Sequence, residues 1–171
     1  MTGEDSVTST STGAAVAELE PTQREAWQAF LSMSETVLAA VQVRLEGEAG
    51  MSLASFRVID ALAGAPGEAL RMGALARLLG ASTSRLAHAM RRLEENGWVR
   101  REVSPSDRRG QVAVLTAAGE CALRSAAPVL ADAVRRHLLA PLTAEQAAEL
   151  ARIGVAVSEA ALVPTPRRST R

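Results

Sequence analysis

The chain has 171 residues, enough for one domain with an attached oligomerisation element, and its 47% apolar content supplies a core. Its 19 arginines, with no lysine, are balanced by 19 acidic residues, so zero net charge excludes a polyelectrolyte that gathers nucleic acid by its summed field alone. A single cysteine excludes an intrachain disulfide, and no run reaches the roughly 18 uninterrupted apolar residues of a membrane span, so no membrane partner is expected.

Residues 1–20, "MTGEDSVTSTSTGAAVAELE", are rich in Ser, Thr and Gly, lack a periodic apolar face and read as a disordered tail. Their polar, acidic character is not that of a signal peptide, so a soluble, cytoplasmic protein is expected. Thr22 and Glu25 form a capping box that opens a long helix to about Glu46, within a segment spanning 21–48. Trp27, Phe30, Leu31, Val37, Leu38, Val41 and Leu45 make its apolar stripe. Ser52 opens a second helix carrying Leu53, Phe56, Val58, Ile59 and Leu62, and "GAPGEA" ends it.

"RMGALARLLG" reads as a short helix with Gly80 at its stop, and Ser82 caps the next helix, which Gly97 ends. Two helices joined by "GAS" make a helix-turn-helix. "WVRREV" and "QVAVLT" are β-branched segments around the turn "SPSDRRG", hence a two-stranded hairpin, or wing. Thr116 caps a further long helix with Leu123, Val129, Leu130, Val134 and Leu138 as its stripe. Thr143 and Gln146 cap a last one with Ala147, Leu150, Ile153 and Val157. Residues 163–171 read as a disordered basic tail. The fold class is mainly α with a small β-hairpin wing: a winged helix-turn-helix at 50–116, flanked by terminal helices at 21–48 and 117–162.

Seven arginines fall between Ser82 and Gly110. At 100° per residue, Leu86, Met90 and Leu93 share one arc of the helix after Ser82, with Ala89 beside it. Ser84, Arg85, His88 and Arg92 share the opposite arc, with Arg91 at its margin. Short Ser82, Thr83 and Ser84 let the backbone approach a major groove, and longer donors behind them reach base edges or phosphates. Arg85 is the candidate for a bidentate guanine contact and Arg92 for a phosphate contact, while His88 suits either. At the hairpin, Arg108 and Arg109 are placed to enter a minor groove, with Asp107 orienting a neighbouring guanidinium.

The run "LRMGALARLLGASTSRLAHAMRRLEENGWVRREVSPSDRRGQVAVLTAAG" resembles the MarR (multiple antibiotic resistance regulator) family of bacterial transcription factors, through "RLEENGWVRR" and "DRRGQVAVLT". That family's Asp-x-Arg wing pattern falls on Asp107 and Arg109. The resemblance implies that Arg109 probes the minor groove while Asp107 positions it. His88 departs from the Arg of many relatives, and Arg91 stands where an acidic residue is frequent.

The resemblance further implies a homodimer through the terminal helices, a palindromic double-stranded DNA operator, and repression released by a small aromatic or phenolic ligand. Trp27, Met33, Arg57 and His137 are the candidate pocket residues. Each also has a structural role to fill: Trp27 and Met33 in the core, Arg57 in an ion pair, His137 on the surface. Cys121, set among Ala and Leu, is expected to be a buried small hydrophobe, with a thiol-based redox regulator as the alternative. The other alternative, a winged helix that docks on protein, calls for an apolar or acidic outer face after Ser82. No nucleophile–base pair, phosphate loop or metal-ligand spacing appears, so no enzyme activity, cofactor or metal is expected.

Overall fold

The computed structural model describes residues 18–104 and 107–162, and the side chains of Thr83, Ser104, Asp107, Arg108, Arg109 and Leu162 lie outside that description. The expected tails therefore lie outside the described residues, except for 18–20. The chain divides into two compact units, Met1–Ala39 and Ala40–Arg171.

Helix α1 (Pro21–Ala49) crosses that boundary. It starts one residue before the expected cap. The Glu20 N–H donates to Gln23 Oε1 at 3.2 Å, and Pro21 takes the first helical position, where a missing N–H and a fixed φ are no handicap. The Thr22–Glu25 box is thus displaced by a Glu20–Gln23 contact. Of the expected apolar stripe only Val41 and Leu45 are buried, both in the larger unit. In the smaller unit Trp27 stacks on Phe30, ring centroids 6.0 Å apart, and both remain exposed.

In the larger unit, Gln42 pins the end of α1 to the next helix. Its Oε1 accepts the Leu53 N–H at 2.8 Å, while its Nε2 donates to Glu46 Oε1 at 2.5 Å. Helix α2 (Leu53–Ala63) is capped by Ser52, whose hydroxyl accepts the Ser55 N–H at 3.1 Å. It buries Phe56, Val58, Ile59 and Leu62 and forms the centre of the core. A 3-10 turn (Pro66–Glu68) follows, with Gly67 and Glu68 both left-handed. Contact with the Glu120 carboxyl there, aided by burial, pushes the Glu68 carboxyl above the usual glutamate range.

The sheet has three strands rather than the expected two. Strand β1 (Ala69–Arg71) precedes α3 (Met72–Leu79), and α4 (Thr83–Glu95) leads into β2 (Val99–Ser104) and β3 (Asp107–Leu115). The order is β1-β3-β2, all antiparallel. Arg71 pairs with Val112, which also faces Glu102, so the sheet is three strands wide only up to that point. Outward from there the wing is a two-stranded ribbon, with a register shift between Val103 and Ser104.

Helix α5 (Ala117–Val134) continues through a π turn (Arg135–Leu139), and α6 (Ala144–Leu162) ends the described chain. Thr116 caps α5 as expected, and the Thr143–Gln146 box forms with both of its bonds. The stripe expected on α5, from Leu123 to Leu138, is only half buried. The buried face of α5 is instead Gly119, Ala126 and Ala133, one small residue every second turn. Small side chains let the helix approach its neighbours closely. A Cβ on Gly119 would fall on the carbonyl oxygen of Trp98. Cys121, expected to be buried, is exposed, because it points away from that small-residue face.

Arg44 ties α1 to α5, reaching Asp132 Oδ2 at 2.6 Å and Glu48 at 2.7 Å, while Arg136 Nε donates to the same Asp132 oxygen at 2.8 Å. The bond from Arg44, foremost, holds the Asp132 carboxyl below the usual aspartate range, against the opposing effect of partial burial. Among the described residues no helix is long and apolar enough to cross a membrane.

Two outcomes follow from this packing. Gly119→Ala should destabilise the fold by about 3 kcal/mol, since the obstructing atom belongs to the backbone and yields little; an unchanged melting temperature would contradict the close approach. A depressed native pKa makes the Asp132 contribution complete above the ordinary aspartate range and lost as pH falls through the lowered native value. The difference in melting temperature between wild type and Asp132→Asn should therefore close on acidification, and a constant difference would disprove the tie.

Candidate nucleic-acid interface

Helix α4 is oriented by what it buries. Leu86, Met90 and Leu93 are 3%, 0% and 0% exposed, with Ala89 beside them, so one side of the helix is fixed against the core. Removing each of the three large side chains from water is worth about 2 kcal/mol. The opposite arc must then face outward. Ser84, Arg85, His88, Arg91 and Arg92 are all exposed, as the helical wheel requires.

The two ends of α4 are held by the backbone. Ser82 caps the start, its hydroxyl accepting the Arg85 N–H at 3.4 Å and lying 3.2 Å from Ser84 Oγ. Gly80 before it sits in the left-handed region at φ 58°, which makes the tight turn from α3. At the other end, Gly97 at φ 68° turns the chain into the wing. There the Thr116 hydroxyl shares its one proton between the carbonyls of Gly97, at 2.7 Å, and Trp98, at 3.1 Å. The same hydroxyl accepts the Gly119 N–H at 3.1 Å. One residue thus joins the exit of α4, the root of the wing and the start of α5.

The arginines of the larger unit differ in what holds them. Arg44, Arg100, Arg101, Arg124, Arg136 and Arg152 each pair with a carboxylate. Among the described residues, Arg85, Arg91 and Arg92 form no ion pair, although all three lie on one helix face. Glu46 faces them across a groove of 480 Å³ that Arg85, His88 and Arg92 line, yet its carboxylate bonds to Gln42 instead. A row of guanidinium groups without carboxylate partners is suited to phosphate oxygens and guanine edges.

The wing residues Asp107, Arg108 and Arg109 have strand backbone rather than the turn expected, because β3 begins at Asp107. Their side chains, like that of Thr83, lie outside the described residues. Of the expected pocket residues, Trp27 and Met33 belong to the smaller unit and are exposed. Arg57 donates to the Leu79 carbonyl at 3.2 Å rather than forming an ion pair. It lines a 230 Å³ cavity with Val58, Leu79, Arg85 and Leu86. His137 is exposed on the π turn.

Two features had no signal in the sequence. A cleft of 340 Å³ between α3 and β3 is lined by Arg71, Arg77, Gly110 and Gln111. Arg101 of β2 lies 3.1 Å from the Glu94 carboxylate of α4. Both join residues from different elements, and neither has a spacing to reveal it.

A model described as the MarR family matches residues 49–110, from the end of α1 to β3. The transcriptional regulator HosA of Escherichia coli O111:H- is 35% identical over 91 residues, 53% of this chain. The match spans 65% of the length of that curated relative. Among solved structures, Sco3205, a MarR family transcriptional regulator from Streptomyces coelicolor in complex with DNA, is 39% identical. Its TM-score is 0.80, with 86% of this chain and 91% of that one covered. AbsC, a MarR family transcriptional regulator from the same organism, is 33% identical, with a TM-score of 0.75 and coverage of 82% and 95%.

Proposed function

The chain belongs to the MarR family of transcriptional regulators, and on that premise we propose that it binds double-stranded DNA sequence-specifically as a homodimer. The observation that carries this reading is the exposed face of α4, where Arg85, Arg91 and Arg92 lie without carboxylate partners among the described residues. In the proposed complex α4 enters the major groove. The short residues at its start approach the bases, Arg85 forks onto a guanine, and Arg92 neutralises a phosphate. The wing follows the adjacent minor groove, with Arg109 inserted and Asp107 orienting it. The relative Sco3205, solved with DNA, supports the reading. A winged helix built to dock on protein is disfavoured by three cations on the face that such a partner would cover.

The terminal helices supply the reason for dimerisation. In α6, Ile153, Val155 and Val157 are each more than half exposed, and α1 leaves Phe30, Leu38 and Val43 exposed. Apolar surface of that extent on long helices favours a second copy of the chain. Two α4 helices then meet half-sites about 34 Å apart on a palindromic operator.

The finer reading is repression relieved by a small aromatic acid. The cavity beside Arg57 sets two guanidiniums, Arg57 and Arg85, against apolar Val58, Leu79 and Leu86, which suits a ring bearing a carboxylate. A ligand paired with Arg85 competes directly with its base contact.

Binding to a duplex selected from a randomised library tests the geometry. Arg92→Ala should weaken all sequences alike and lower the salt slope by about one, as removal of a single phosphate contact requires. Arg85→Ala should relax preference at one base pair by about 1–3 kcal/mol. Arg109→Ala should weaken binding with the dimer intact, and unchanged binding would remove the wing from the mechanism. Sedimentation should report a dimer at micromolar concentration, and a monomer there would overturn the assembly.

A further inference from the structure

We propose that the Glu94–Arg101 pair is the brace that sets the angle of the wing against α4, so that both are positioning residues for DNA recognition rather than contacts to DNA. This rests on the DNA-binding reading above and adds how the two reading elements are held in register.

The position of the pair carries the inference. Strand β1 supports the sheet only as far as the row Arg71–Val112–Glu102. A two-stranded ribbon beyond that row has little stability of its own in water. Arg101, opposite Ala113, lies one row inside the point where the third strand ends. It shares a sheet face with Val99, which is buried, and with Val103, which is 65% exposed. Apolar packing therefore holds the root of the wing at Val99 and is gone by Val103. Arg101 stands between them, opposite buried Ala113 at the outer edge of that packing, with α4 still within reach.

The contact itself is Coulombic. Arg101 Nε lies 3.1 Å from the Glu94 carboxylate, and both side chains are about one-third exposed, at 30% and 34%. The Nε atom is shielded from solvent and has no directed hydrogen-bond partner among the described residues. A guanidinium with its inner nitrogen covered and a carboxylate at that distance is poorly placed to reach a phosphate. Arg100, one residue earlier on the opposite sheet face, pairs with Glu102 at 2.6 Å within the strand.

Lever arithmetic makes the pair consequential. At about 3.4 Å per residue the row Ser104–Asp107 lies roughly 10 Å beyond Arg101, so a tilt of about 10° displaces it by roughly 2 Å. That displacement is enough to take a groove-inserted guanidinium out of hydrogen-bond range.

The test measures affinity and salt slope on the selected duplex for Glu94→Gln, Arg101→Gln, Arg109→Ala and the double variants Glu94→Gln/Arg109→Ala and Arg101→Gln/Arg109→Ala. The brace predicts that Glu94→Gln weakens binding by about tenfold, the effect of disengaging one groove-inserted arginine, with no fall in slope beyond that of Arg109→Ala. It also predicts that Arg109→Ala costs little more once Glu94 is gone. Additive losses in Glu94→Gln/Arg109→Ala overturn the proposal, as does unaltered binding by Glu94→Gln. So does a slope reduced by Arg101→Gln in an Arg109→Ala background, which would make Arg101 a phosphate contact. A wild-type protein that selects no duplex defeats the DNA-binding reading instead. Amide exchange across β2 and β3 then still decides the brace: faster exchange in Glu94→Gln supports it, and unchanged exchange overturns it.

Discussion

Leu86, Met90 and Leu93 are driven out of water together, and because an α-helix turns 100° per residue their burial decides where every other side chain of α4 points. The core beneath them is built from Phe56, Ile59 and Leu62 of α2, Leu75 of α3, and Val99 and Leu115 of the sheet. None of these side chains touches nucleic acid in the proposed complex, yet they aim the ones that do. The serine cap at one end and the Gly97–Thr116 joint at the other fix where the helix begins and where the wing departs.

The distribution of charge along the chain gives this orientation its meaning. With equal numbers of arginines and acids, any arginine could be neutralised internally. On α5 and at the wing root that is what happens: Arg124, Arg136, Arg100 and Arg101 all meet carboxylates. On the outer face of α4 it does not, even though Glu46 borders the same groove. A protein without net charge gains little long-range attraction to DNA, so in the proposed complex affinity would depend on a short row of cations held in place. Rigidity of placement would then matter more than the number of charges, which is the part the proposal gives to the joint at Thr116 and the brace at Glu94.

Much of this is legible in the sequence because large apolar residues announce a buried face by their spacing. The arc of Leu86, Met90 and Leu93 specifies α4, and Ser52, Ser82, Thr116 and the Thr143–Gln146 pair mark four helix starts. The differences share a cause. Strand β1 is three residues long and exists because β3 offers it a partner, so it has no period of its own. The packing face of α5 is Gly119, Ala126 and Ala133, and a search for large apolar residues reads past it to Leu123 and Leu130. The exposure of Cys121 is hidden for the same reason. Pro21 displaces the expected cap because a proline at the first helical position competes with a threonine box one residue later. In α1 and α6 much of the apolar stripe is exposed, since a sequence records that a face is apolar and not whether the fold covers it.

The central claim, that the outward face of α4 is the surface that meets DNA, is tested most directly by side-chain NMR of the arginine Nε–H groups during titration with the selected duplex. Arg85, Arg91 and Arg92 should shift together and saturate with the bound fraction, while Arg44, Arg124 and Arg136, already held by carboxylates, stay in place. Binding that leaves the three α4 signals unmoved would contradict the account.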